Sequence, residues 1–140
     1  MSLTGRCACG AVTLAISGEP VGTRQCWCRQ CQQIAAGGPT HNAIFRAEQV
    51  AITGELSSHG YTAASGNTLQ LYFCPSCGCH VYGQSSARMH LKTVRLGVID
   101  EPHGLRPQMA IWLDDAPEWA IIDPALEQFR GQPPAPQLPV

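Results

Sequence analysis

Charge is scarce in this 140-residue chain: 14% of residues are charged, nine Lys and Arg oppose ten Asp and Glu, and the formal net charge is −1. Lys92 is the single lysine. A domain that grips nucleic acid carries a basic face or stripe, so that class of partner is excluded. Aromatic residues reach only 6%, which leaves a core of Ala, Val, Ile and Leu. Apolar runs are short, as in Ala120-Ile121-Ile122, against the roughly 20 residues needed to cross a bilayer; no membrane partner is expected. Met1-Ser2-Leu3 has the look of an expression remnant and lacks the basic and apolar regions of a secretory signal. A cytoplasmic, reducing location is therefore expected. Helical periodicity is nearly missing too. The candidates are one or two turns at 29–36 and at 123–129, the latter where Asp123-Pro124 offers an N-cap followed by proline at the first helical position.

What is present is strand pattern, turn residues and cysteine. The length suits one domain. Residues 10–18 alternate apolar with small or polar side chains between glycines, and 67–73, 94–99 and 109–113 have the same character. Shorter strands are expected at 43–45, 50–52 and 80–82. Fourteen glycines and eleven prolines between such runs argue for an all-β domain over 1–130 with long irregular connections. Residues 131–140 hold four prolines and little to bury; they read as an extended polyproline tail.

Eight cysteines fall into three groups: Cys7-x-Cys9, Cys26-x-Cys28-x-x-Cys31, and Cys74-x-x-Cys77 with Cys79 two residues on. In a reducing compartment clustered thiols are metal ligands sooner than disulfides. Zinc–sulfur bonds of about 2.3 Å put tetrahedral sulfurs roughly 3.8 Å apart. Cys-x-Cys meets that on an extended segment, where alternate residues share a face. Cys-x-x-Cys meets it in a tight knuckle, for which Gly78 supplies a permissive backbone. Two, three and two ligands exceed the four that one tetrahedral zinc takes, so two Zn²⁺ per chain are implied. Cys7, Cys9, Cys74 and Cys77 could close one site. Cys26, Cys28 and Cys31 would then hold a second with a position left for water or substrate, unless the group borrows Cys79 or a histidine. Iron in a rubredoxin-like site has similar geometry. Cys79 alone reads more simply as a small buried hydrophobe.

Other side chains make weaker cases. His41 follows the three-cysteine group and could face its metal, but a surface or core histidine is the simpler reading; His59, His80, His90 and His103 are assigned no ligand role. Arg24, Arg29 and Arg46 flank the group and offer bidentate geometry for carboxylates, with solvated surface arginine as the plain alternative for each.

Gly5-x-Cys7-x-Cys9-Gly10-x-Val12, Cys26-x-Cys28-x-x-Cys31, Phe73-Cys74-x-x-Cys77-Gly78 and the closing Pro117-Glu118-Trp119 resemble the glutathione-dependent formaldehyde-activating enzyme family, also called the centromere protein V family. The resemblance implies an all-β fold of the Mss4-like type, twisted sheets forming a β-tent stapled by zinc. It also implies a structural zinc on Cys7, Cys9, Cys74 and Cys77 and a catalytic zinc on Cys26, Cys28 and Cys31. Many members carry histidine where Trp27 stands here, and Ser or Thr at Cys79. Tryptophan is neither ligand nor base, so any role of that histidine is absent.

The activity so implied is that of a carbon–sulfur lyase, joining or cleaving a thiol such as glutathione and a small aldehyde such as formaldehyde. Three thiolates on Zn²⁺ leave a net charge of −1, which suits a thiol as fourth ligand better than a water to be activated. Two rivals stand beside it. A non-catalytic binding module would hold its zinc only in closed sites. A redox switch would release zinc when Cys26, Cys28 or Cys31 is oxidised.

Overall fold

A computed structural model describes residues 1–63, 65–136 and 138. The strands are β1 (Ser2–Arg6), β2 (Thr13–Ser17), β3 (Gly22–Cys26), β4 (Thr40–Arg46), β5 (Val50–Thr53), β6 (Ser57–Thr62), β7 (Thr68–Phe73), β8 (His80–Ser85), β9 (Leu91–Arg95), β10 (Met109–Ile111) and β11 (Glu127–Gln128). One helix, α1 (Arg29–Ile34), follows β3. The mostly-β architecture expected from the turn-rich sequence is what forms, in line with the Mss4-like type. No helix among the described residues is long and apolar enough to cross a membrane.

The strands make two sheets. The smaller is ordered β1-β2-β5, and the larger β11-β10-β3-β4-β9-β8-β7-β6. Pairing is antiparallel except that β10 runs parallel to β3 and to β11. Alternation along β2 turns Leu14 and Ile16 inward while Thr13, Ala15 and Ser17 stay outside. These meet Ala43, Phe45, Val81, Tyr82 and Val94 of the larger sheet in one apolar cluster that also takes in Cys7 and Cys74. A second, smaller cluster contains Cys26, Cys31 and Ile111, with Met109, Trp112 and Phe129 against it. Each thiol group thus lies in its own apolar setting.

Several expectations are corrected. Strands β1, β3 and β6 were not legible, since Ser2–Arg6, Gly22–Cys26 and Ser57–Thr62 are largely polar or glycine-bearing. β6 is an exposed edge, but β3 sits inside the sheet and is buried by its neighbours rather than by its own hydrophobicity. Ser2 pairs with Ser17, so the first residues are structural. The strand expected at 94–99 ends at Arg95, after which Leu96–Val98 turns into a 3₁₀ segment. That at 109–113 stops at Ile111, because Trp112 adopts a left-handed backbone with φ 59°. At 123–129 there is no helix. The Asp123 carboxylate accepts from the Ala125 N–H, an Asx-turn that leads into β11, and such a turn uses the same side chain an N-cap would.

Beyond the body, Trp112 donates from Nε1 to the Gln132 side chain and from its backbone to the Gly131 carbonyl. Pro133 is buried. The first residues of the expected tail therefore lie against the fold, while residues 137, 139 and 140 of it are outside the described residues.

Candidate metal centres

Two groups of side chains among the described residues could hold a metal ion: Cys7, Cys9, Cys74 and Cys77, and Cys26, Cys28 and Cys31, each with its sulfurs within 4.8 Å of one another. Spacing left this partition open, and the fold supplies it. The β1–β2 turn carries Cys7 and Cys9, the β7–β8 turn carries Cys74 and Cys77 with Cys79 at its end, and the fold brings the two turns face to face. The sulfurs of Cys7 and Cys9 are 3.6 Å apart, and those of Cys9 and Cys74 3.7 Å, close to the tetrahedral sulfur spacing of roughly 3.8 Å.

Both turns depend on glycine. The Gly10 N–H reaches the Cys7 carbonyl and the Gly78 N–H the Cys74 carbonyl, at φ +81° and +74°, where a side chain is strained. Cys7 and Cys9 thus meet in a turn, not on the extended segment expected. The Val12 N–H donates to Cys7 Sγ at 3.3 Å, and that bond is the main reason the Cys7 thiol falls to about 6. Cys9 accepts from the Ala11 N–H yet rises to about 11, because its proton is shared with Cys7, desolvation disfavours its thiolate, and Cys74 and Cys77 share the proton in turn.

The three-cysteine group is built differently. Cys26 ends β3, and Cys28 is the N-cap of α1, its sulfur accepting from the Cys31 N–H at 3.3 Å. The second pair therefore straddles a helix start rather than a knuckle. Cys26 and Cys31 are buried and Cys28 half-buried. Hydrogen bonds from Cys26 and then Cys28 hold Cys31 down to about 3, helped by the Thr40 hydroxyl and the Arg95 charge. Cys26 is pushed up, first by its bond to Cys28 and then by that to Cys31.

Behind these thiols runs a polar chain that sequence reading missed. Arg95 Nη1 donates to Asn42 Oδ1 at 2.7 Å, Asn42 Nδ2 donates to Thr40 Oγ1 at 3.0 Å, and the Thr40 hydroxyl bonds Cys31. Its register explains it: Cys26 pairs with Thr40, and Arg24 with Asn42, which pairs in turn with Arg95. Alternation puts all five on one face of the sheet. Tyr61 also stands within electrostatic reach of Cys28, Cys31 and Cys26; burial first, then those thiols, pushes its phenol up to about 12. Since β6 lies five strands from β3, or roughly 24 Å in a flat sheet, the larger sheet must curl to bring them together.

The remaining candidates fall away from this face. His41 alternates with Thr40 and Asn42, so it points to the opposite side, where its ring meets the Gln25 amide at 3.1 Å. Trp27 is buried, donates to Gln25 Oε1 and meets Trp119 edge-on at 6.5 Å. Arg29 bonds Gln32. Cys79 is outside both groups and packs against the main core, as a small hydrophobe does.

This is a curled-sheet β protein with seven thiols gathered into one four-ligand and one three-ligand cluster. More particularly, the chain belongs to the glutathione-dependent formaldehyde-activating enzyme family, whose model matches residues 2–115. A crystal structure of a Rhodobacter sphaeroides protein is similar in fold, with a TM-score of 0.56 and 20% identity over 74% of this chain and 91% of that one.

Proposed function

We propose that the protein is a cytoplasmic carbon–sulfur lyase that joins or cleaves a thiol such as glutathione and a small aldehyde such as formaldehyde at Cys26, Cys28 and Cys31. The observation that carries the reading is the ligand count. Four thiols converge in one cluster and three in the other, with no fourth His, Cys, Asp or Glu beside the three among the described residues. Clustered thiolates at tetrahedral spacing fit Zn²⁺ in both, and membership of the named family agrees. Zinc on Cys7, Cys9, Cys74 and Cys77 is structural; on the other three it would lower a substrate thiol's pKa and hold it as thiolate.

The chain's own residues supply the rest. The Arg95–Asn42–Thr40 chain directs its donors at Cys31, which fixes that thiolate and spreads its charge. Tyr61 stays protonated at neutral pH. Its O–H can donate to the carbonyl oxygen, where negative charge gathers as the thiolate sulfur bonds the aldehyde carbon. The oxygen then takes a proton from solvent to give the hemithioacetal, and cleavage reverses these steps.

The test is zinc per chain before and after a mild chelator, followed by the exchange rate of glutathione with ¹³C-formaldehyde measured by NMR. Two zincs falling to one, with exchange above the uncatalysed rate that Cys28→Ser abolishes, is the expected result. One zinc that never exchanges, and no rate above background, would leave a zinc-stapled binding module instead. Zinc loss driven only by peroxide would favour the redox switch.

A further inference from the structure

Arg24 is the most anomalous charge in the molecule. It lies on β3 two residues before Cys26, it is 7% exposed, and its Nε is out of solvent without a hydrogen-bond partner. The ion pairs among the described residues are His103–Glu101 and Arg130–Asp114; neither reaches it. Burial and the repelling Arg88 disfavour its charge, and the Cys26 sulfur two residues on favours it. An enclosed guanidinium normally has a carboxylate or a full set of acceptors, and this one has neither. Arg95, on the same face across Asn42, likewise keeps a buried Nε unpartnered while its Nη1 is spent on Asn42.

We propose that Arg24, with Asn42 and Arg95 beside it, is a carboxylate-binding subsite that selects the thiol delivered to the three-cysteine cluster. The inference rests on the function proposed above and names its substrate class: thiols that carry a carboxylate a few bonds from the sulfur. Two strand residues separate Arg24 from Cys26, roughly 7 Å along β3, a span that suits one small molecule with its sulfur at the cluster and its carboxylate at the guanidinium. Arginine's planar fork gives such an anion two parallel bonds. Apart from the thiols of the cluster itself, the free protein then offers that guanidinium no anion, and a bound carboxylate supplies one.

Calorimetric titration of the zinc-loaded protein with 3-mercaptopropionate, 2-mercaptoethanol and propionate tests this, alongside Arg24→Gln and Arg24→Met. The wild type is expected to bind 3-mercaptopropionate about 10- to 100-fold tighter than 2-mercaptoethanol, the range for a charge-assisted pair. Both variants should erase that preference and leave 2-mercaptoethanol affinity unchanged. Their ligand-free melting points should hold or rise, because an unpaired buried charge is gone; a merely structural arginine would lower them and weaken both thiols alike. A preference that survives in the variants, or thiols bound with no preference in the wild type, overturns the subsite and leaves the thiol-binding cluster standing. Arg24-dependent propionate binding with no thiol binding would keep the subsite and sink the proposed reaction.

Discussion

The two thiol clusters use the same side chain for opposite ends. Cys7, Cys9, Cys74 and Cys77 come from two turns 65 residues apart, Cys7 and Cys74 buried in the main apolar core and Cys9 and Cys77 exposed at its edge, with backbone N–H groups and one another as their partners. Cys26, Cys28 and Cys31 come from six consecutive residues and look onto Thr40, Asn42, Arg95, Tyr61 and Arg24. Ligands drawn from distant segments tie a fold together. Ligands drawn from one short segment leave the other side of a metal free for polar and charged groups from the rest of the sheet.

The sharpest way to break that contrast is to remove a ligand from each cluster in turn. Cys74→Ser should unfold the protein, since a structural metal contributes about 10 kcal/mol or more and a domain's whole stability is of similar size; circular dichroism and zinc content would report it together. Cys28→Ser should leave a folded protein with one zinc and no thiol binding. Equal loss of structure in both would show that the second cluster is also a staple.

Asn42→Ala goes further, because it spares every thiol. Asn42 is 2% exposed and joins Arg95 to Thr40. Losing it should cost about 1–3 kcal/mol from the stranded guanidinium and weaken zinc about 10- to 100-fold, at the three-cysteine site alone, as chelator competition would show. The smallest effect is expected from Gly78→Ala. An added Cβ there meets nothing within 4 Å but must adopt φ +74°. The cost is about 1 kcal/mol, seen as a fall of a few degrees in melting point with zinc retained at both sites.

How much of this was readable in the linear chain differs by element. β2, β5 and β7 showed alternation or short apolar runs because their side chains bury themselves against the core. β3 showed nothing, as Gly22–Cys26 is polar, yet it carries Arg24 and Cys26 at the centre of the site. The cysteine groups were visible at once from their spacing, and so was the inequality of their ligand numbers. Arg95 was not, since nothing in Thr93-Val94-Arg95 distinguishes it from a surface arginine.

The sequence by itself determined which residues could serve as ligands and that there are more than one metal would use, because local spacing sets how sulfurs from one turn converge. Tertiary structure alone decided which distant pair completes which cluster, that His41 faces away while Thr40 faces in, and that Arg24 is enclosed without a carboxylate. Those depend on strand register and on the curl of the sheet, which are set by contacts between residues far apart in the chain.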